Sequence, residues 1–136
     1  MMIKNNVEYL VGDKKIYTDT INPYDKDIII FLDDFSKDLS SKKNIKNFSD
    51  IVYLSFFCRK SNLNNIVNKT LLNSNSIRLA IGLIFHITPS NVPTNFVYSL
   101  IFGLLNGNSN IIKVPSKKFE QIEIICNSLN KILKKK

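Results

Sequence analysis

With 136 residues the chain is long enough for one domain with a real core. Its net charge of +8 and pI near 9.5 would suit an anionic partner, but the lysines are scattered and no nucleic-acid-binding motif is present, so no nucleic-acid role is expected. The two cysteines, Cys58 and Cys126, lie outside any CxxC pair, which argues against a zinc site or a disulfide framework and for a reduced, cytoplasmic setting.

From the N-terminus, MMIKNNVEYLVGDKK lacks the apolar core of a signal peptide. Val7–Val11 and Ile16–Thr18 flank Gly12-Asp13-Lys14-Lys15, a pattern that predicts a β-hairpin. Asn22-Pro23 breaks the chain. Ile28, Phe31, Leu32 and Phe35 then recur at helical spacing, predicting a helix over 27–39. The run Ile28–Leu32 is too short to span a bilayer.

A polar, Lys-rich loop is expected over 40–47, and Ser49 is the expected N-cap of the next helix. That helix carries Ile51, Leu54, Phe57 and Cys58 on one face, with a break expected at Arg59-Lys60-Ser61-Asn62. Leu63, Ile66, Val67 and Leu71 continue the apolar stripe, and Asn73–Ser76 is the expected boundary between a hairpin-and-helix segment (1–76) and a second domain (77–136).

Leu79–Ile87 suits a buried strand of a parallel sheet, covered on both faces. No membrane span is expected, since the apolar run 79–102 is interrupted by His86, Pro89, Asn91, Pro93 and Asn95. Pro93 fits the first turn of a helix whose apolar side is Phe96, Leu100, Ile101, Leu104 and Leu105. Gly107 is the expected stop, Asn110–Val114 the next buried strand, and Phe119–Leu133 a final amphipathic helix. Strand, helix, strand, helix makes an α/β parallel sheet the expected fold class. Two strands are too few for a finished doubly wound domain.

Three positions have the residue types for chemistry. Asn91, at a strand-end turn before a helix, can either cap that helix or aim an amide N–H at developing negative charge. Lys113 closes the second strand, where α/β sheets bind ligands; the alternative is a solvated lysine. His86, the only histidine, sits in an apolar strand and reads first as a hydrogen-bonded core residue. Cys58 and Cys126 fall on apolar helical faces with no neighbouring base, so neither is assigned as a nucleophile.

The stretch His86–Lys117, HITPSNVPTNFVYSLIFGLLNGNSNIIKVPSK, resembles the cofactor-binding core of the aldehyde dehydrogenase superfamily, and within it the acyl-CoA reductase branch of the luminescence type. The similarity runs from Arg78 to Leu133, with a looser match over 51–66. It implies the N-terminal part of an aldehyde dehydrogenase-like fold: an incomplete Rossmann-like βαβα sheet preceded by a hairpin and helices. By this resemblance Pro89, Asn91 and Pro93 match the family's Pro-x-Asn-x-Pro, whose asparagine donates to the oxyanion of the thiohemiacetal.

Thr88, Pro89 and Ser90 would then border the cofactor, and Lys113 or, counting back from Pro115-Ser116, Val114 would take the place of the family's ribose-binding lysine. Lys-Val-Pro-Ser departs from the family's Lys-Pro-Ser by that one inserted residue. Ser116 is followed by Lys117 where NAD-preferring relatives place a glutamate, so NADP(H) is the expected cofactor, with Lys117 at a helix start beside the 2′-phosphate.

The resemblance further implies reduction of acyl-CoA, or of an acylated partner protein, to fatty aldehyde through a cysteine acyl-enzyme. The family's nucleophilic cysteine lies downstream of the matched region, so the chain is expected to be a truncated or split piece, inactive alone. It would be completed by another segment or chain, with homo-oligomerisation through its open sheet edge. The alternative of a different class is a non-catalytic interaction module or remnant that pairs with another chain.

Overall fold

The computed structural model describes residues 7–72 and 75–135. Among these residues five α-helices and two strands follow in chain order: α1 (Lys26–Ser40), α2 (Ser49–Phe57) entered through a 3-10 turn at Ile45–Asn47, α3 (Lys60–Leu72), β1 (Leu83–Ile87), α4 (Asn95–Leu105), β2 (Ser109–Lys113) and α5 (Glu120–Leu133). The parallel pairing of β1 and β2 bears out the α/β order, in the register Leu83↔Ser109 through Ile87↔Lys113.

α1 forms where the helical spacing predicts it. Asp25 caps it by accepting from the Asp27 N–H at 2.8 Å, and Leu32, Phe35 and Leu39 are fully enclosed. Ser49 is not the cap of α2. The preceding 3-10 turn brings the Phe48 carbonyl into the helix ladder, where it accepts from Ile51 and Val52, so Ser49 is already helical and Phe48 holds the cap position. The break between α2 and α3 falls at Cys58-Arg59, so it meets the expected stretch only at Arg59, and Lys60, Ser61 and Asn62 already form the first turn of α3. Its first free donor, the Lys60 N–H, is met by Asp33 of α1 at 2.8 Å. Among the described side chains of α3 only Leu63 is fully buried, and Leu71 is exposed. Part of the boundary expected at Asn73–Ser76, residues 73–74, lies outside the described residues, as does the start of the N-terminal segment, residues 1–6.

The expected hairpin does not form: among the described residues, 7–25 contains no strand. A lone hairpin is marginal unless one face is buried, and Val7, Ile16 and Tyr17 all face solvent. Asp13 instead closes a local turn by accepting from the Lys15 N–H at 2.8 Å. The rest of the segment lies against the βαβ unit, with Ile21 and Tyr24 N–H donating to the carbonyls of Gly107 and Leu105 and the Ser109 hydroxyl donating to the Asp19 carbonyl.

Three further expectations are corrected within the βαβ unit. β1 starts at Leu83 rather than Leu79, and Pro93 stands in the turn before α4, whose cap is Thr94. The sheet is also not covered on both faces. α4 packs over the side that carries His86, Asn110 and Ile112, while Leu83, Phe85 and Ile87 remain exposed on the other. Gly107 ends α4 with φ +78°, as its place in the sequence predicts.

One apolar core draws on every helix. Phe35 and Leu39 of α1, Leu54 of α2, Leu63 of α3, Ile101 of α4 and Ile125 of α5 belong to the same buried cluster. α5 is tied to α1 a second time through polar groups: the buried Asp38 carboxylate accepts from the Ser128 hydroxyl at 2.8 Å and pairs with the Lys131 ammonium. No helix among the described residues is long and apolar enough to cross a membrane.

Candidate functional site at the strand ends

Parallel pairing sends both strands to the same edge, so the residues after Ile87 and those around Lys113 emerge side by side. They are joined there, since the Thr88 hydroxyl donates to the Lys113 carbonyl at 3.1 Å. Pro89, Ser90 and Asn91 follow as an exposed turn. Lys113, the last residue of β2, is exposed, whereas Val114 packs against the core. Of the two residues that could take the ribose-binding position, only Lys113 therefore has its side chain in solvent. Pro115 is buried, and Ser116 and Lys117 are exposed in the turn beyond it.

The cap role weighed for Asn91 is not the one it plays. Thr94 holds the cap position of α4, and no side-chain hydrogen bond closes that end. The backbone reaches the helix through a turn in which Asn95 N–H donates to the Val92 carbonyl. This leaves Asn91 on the exposed turn three residues ahead of the cap, between the strand end and the helix N-terminus.

Lys117 is not at a helix start either. α5 begins at Glu120, its first turn holds Glu120 and Glu123, and the Lys117 ammonium sits over the Phe119 ring at 5.0 Å. Those two carboxylates satisfy the positive end of the α5 dipole. An anion near Ser116 would thus meet side-chain cations rather than an open helix terminus.

His86 is half-buried under α4, its Nε2 2.9 Å from the Asn110 side-chain oxygen. Asn110 uses its amide nitrogen to donate to the Asn108 carbonyl at 2.7 Å. Its oxygen is therefore the acceptor, and Nε2 of His86 carries the proton. This is the hydrogen-bonded core histidine the sequence suggested.

Both thiols are buried, and burial pushes Cys58 up to about 12 and Cys126 to about 11. A thiol so far from its thiolate is a poor nucleophile. Neither cysteine lies in the strand-end turns. Among the described residues no group of His, Cys, Asp and Glu is arranged to hold a metal ion. A depression of about 550 Å³ lined by Asp33, Lys37, Arg59, Lys60 and Ser61 belongs to the α1 and α3 side, away from the strand ends.

Sequence reasoning missed the residues that anchor the two strands at their opposite, N-terminal ends. The nearly buried Asn108 accepts at its side-chain oxygen from the Ile81 and Gly82 N–H groups, at 2.7 and 3.2 Å, which fastens the approach to β1 onto the end of α4. Gly103 lets α4 lie directly on Asn110, because a Cβ there would come within 1.9 Å of the Asn110 oxygen. The density of Asn in Asn106-Gly107-Asn108-Ser109-Asn110 reads as a simple turn, and the cross-element partners are invisible until β1 is paired.

No curated protein and no solved structure gives a significant match to the chain. The sequence profile of one family, described as acyl-CoA reductase (LuxC), matches residues 19–134, which include α1 through α5 and both strands. The chain therefore belongs to the LuxC acyl-CoA reductase family.

Proposed function

We propose that the chain is the N-terminal portion of a long-chain acyl-CoA reductase with an aldehyde dehydrogenase-like fold, which reduces an acyl thioester to fatty aldehyde with NADPH. Its donor substrate is acyl-CoA or an acylated partner protein. The observation that carries this reading is the junction of the two strand ends, where Thr88 bonds to the Lys113 backbone and Asn91 stands on the adjoining turn. In open α/β sheets this carboxyl edge is where nucleotides bind.

The residues present fit an NADP(H) nucleotide in charge. Lys113 and Lys117 are exposed cations at this edge, and no Asp or Glu occurs between Ile51 and Phe119 to repel a 2′-phosphate. Thr88, Pro89 and Ser90 would border the nucleotide. Lys113 would hydrogen-bond ribose hydroxyls, and Ser116 with Lys117 would meet the 2′-phosphate. The bound cofactor supplies hydride. Asn91 supplies an amide N–H toward the oxygen that becomes negative when an acyl thioester is attacked, a contribution that grows as charge develops.

The nucleophile comes from another segment or chain, since Cys58 and Cys126 are buried with raised thiol pKa values and stand apart from Asn91. The chain alone is then inactive. A non-catalytic interaction module is the second reading, favoured by the bare face of β1.

NADPH binding by the purified chain tests the first reading. Nucleotide fluorescence titration should show binding that weakens on the order of ten-fold with Lys113→Ala, and NADPH should bind more tightly than NADH. Equal, Lys113-independent binding of both, or no binding, would sink the cofactor assignment.

A further inference from the structure

Among the described residues β1 and β2 make a sheet of two short strands, and a sheet of that size is marginal on its own. Its apolar residues do little to fix the register. Side chains alternate with a period of two, so sliding one strand by two residues keeps every residue on its own face. Such a slip would part Thr88 from the Lys113 carbonyl by about 7 Å, two residues of strand rise. The strand-end junction therefore depends on polar groups that recognise one register.

Those groups form a chain of hydrogen bonds along the α4 side of the sheet. At the N-terminal ends of the strands the Asn108 side-chain oxygen accepts from the Ile81 and Gly82 N–H groups. The Asn108 carbonyl accepts from the Asn110 amide at 2.7 Å, and the Asn110 side-chain oxygen accepts from Nε2 of His86 at 2.9 Å. His86 stands opposite Ile112 in the ladder and Asn110 opposite Ile84, so this last bond crosses the sheet diagonally. Among the described residues it is the one side chain to side chain hydrogen bond between β1 and β2. Asn110 has little freedom to follow a displaced partner, because α4 lies directly on it at Gly103. One pleat beyond His86 comes Thr88, which bonds to the Lys113 carbonyl. His86 is thus the last link of the chain before the strand-end site.

We infer that His86 is a positioning residue for the strand-end site. Its Nε2–H, fixed on Asn110, holds the register that brings Thr88 to Lys113 and sets the Asn91 turn beside them. It acts through Thr88 and the Lys113 backbone rather than through contact with the nucleotide. This role rests on the reading of the strand ends as the nucleotide site, where a preorganised edge binds more tightly than a loose one.

The test compares the full chain with His86→Leu, His86→Gln and His86→Asn. Leucine removes the donor and leaves the Asn110 oxygen unpaired under α4. Glutamine carries its amide nitrogen at about the reach of Nε2, whereas asparagine carries it at the reach of Nδ1, so only glutamine should restore the bond. Circular dichroism checks that all three keep their helices. Hydrogen–deuterium exchange should be on the order of ten-fold faster over 83–88 and 109–114 in His86→Leu and His86→Asn, with α1 and α5 unchanged and His86→Gln close to wild type. NADPH affinity should follow the same order, falling on the order of ten-fold with leucine or asparagine and returning with glutamine.

Strand exchange that ignores the substitutions, or a loss that glutamine does not restore, would overturn the proposal. So would faster exchange throughout the chain, which would make His86 a general core residue. Lost NADPH affinity with unchanged strand exchange would mean direct contact with the nucleotide, and the positioning role would fall. Strand exchange in the stated order in a chain that binds no NADPH would uphold His86 as the pin of the register and sink the nucleotide reading instead.

Discussion

Gly103, inside α4, and Gly107, just past its end, do different work, and each can be tested alone. At Gly103 the backbone is ordinary, but a Cβ would sit 1.9 Å from the Asn110 oxygen and 2.7 Å from its carbon. Asn110 is not free to yield, since it is held by His86 on one side and by the Asn108 carbonyl on the other. Gly103→Ala should therefore destabilise the chain by roughly 1–3 kcal/mol, the usual cost of overpacking, as read by urea denaturation. At Gly107 the φ of +78° and the Ile21 carbonyl oxygen, which a Cβ would approach to 2.2 Å, act together, so alanine should be at least as damaging there.

Sequence made Gly107 legible, because a glycine after an apolar helical run is a stop signal. It gave Gly103 no role beyond membership of the helix, since the neighbour that excludes a side chain comes from the next strand. The thiols were legible for the same local reason: both fall on apolar helical faces. With burial holding Cys58 up to about 12 and Cys126 to about 11, the native chain at pH 8 should react with a water-soluble disulfide reagent far more slowly than the urea-unfolded chain. Fast modification of either in the native state would contradict their exclusion as buried groups and reopen the question of the nucleophile.

At the scale of elements, periodicity gave the helices well and the edges of the sheet poorly. α1 and α5 carry strong apolar stripes, and both form over nearly the expected residues. Ser49 misled because capping propensity is local, while the actual start of α2 depends on the 3-10 turn that feeds it. The hairpin over 7–18 failed for a tertiary reason. Val7, Ile16 and Tyr17 find no surface to cover, the Lys15 N–H turns back to Asp13, the Leu10 carbonyl accepts from Asn130 of α5, and the residues just beyond, Ile21 and Tyr24, bond to the end of α4.

β1 is the most informative miss. An apolar run of this kind reads as a strand buried on both faces, and the pairing is there, but the second cover is not. The candidate site shares this pattern: Asn91 and Lys113 were legible from their spacing to Pro89 and Gly107, and the joint between their strands, Thr88 to the Lys113 carbonyl, required the register.

The two ends of the chain are fastened together chiefly through α1 and α5, and Asp38 is the polar part of that fastening. It is nearly buried, yet its carboxyl is held below the usual carboxylate range. Burial alone would raise it, but the Lys131 ammonium, the Ser128 hydroxyl and the charge of Lys42 together outweigh that. A carboxylate with a depressed folded pKa binds fewer protons in the folded state than in the unfolded one. Its stabilisation is therefore complete above the unfolded value of about 3.9 and is lost as pH falls through the lower folded value.

Asp33 shifts in the same direction. Desolvation opposes the shift, and the Lys37 ammonium and the Lys60 N–H drive it. The acid limb of the stability curve should thus be governed by two groups on one helix. Asp38→Asn removes the charge while keeping the shape, so it should cost about 1–2 kcal/mol near neutral pH, a modest figure because Lys131 stays largely in solvent. The decisive reading is the difference between wild type and Asp38→Asn, measured by urea denaturation at pH 7 and again at pH 3. It should shrink toward the acid end as the wild-type carboxylate takes up its proton. A difference that stays constant with pH would mean that Asp38 acts by packing alone, and the charge pairing would have to be withdrawn as the polar tie between α1 and α5.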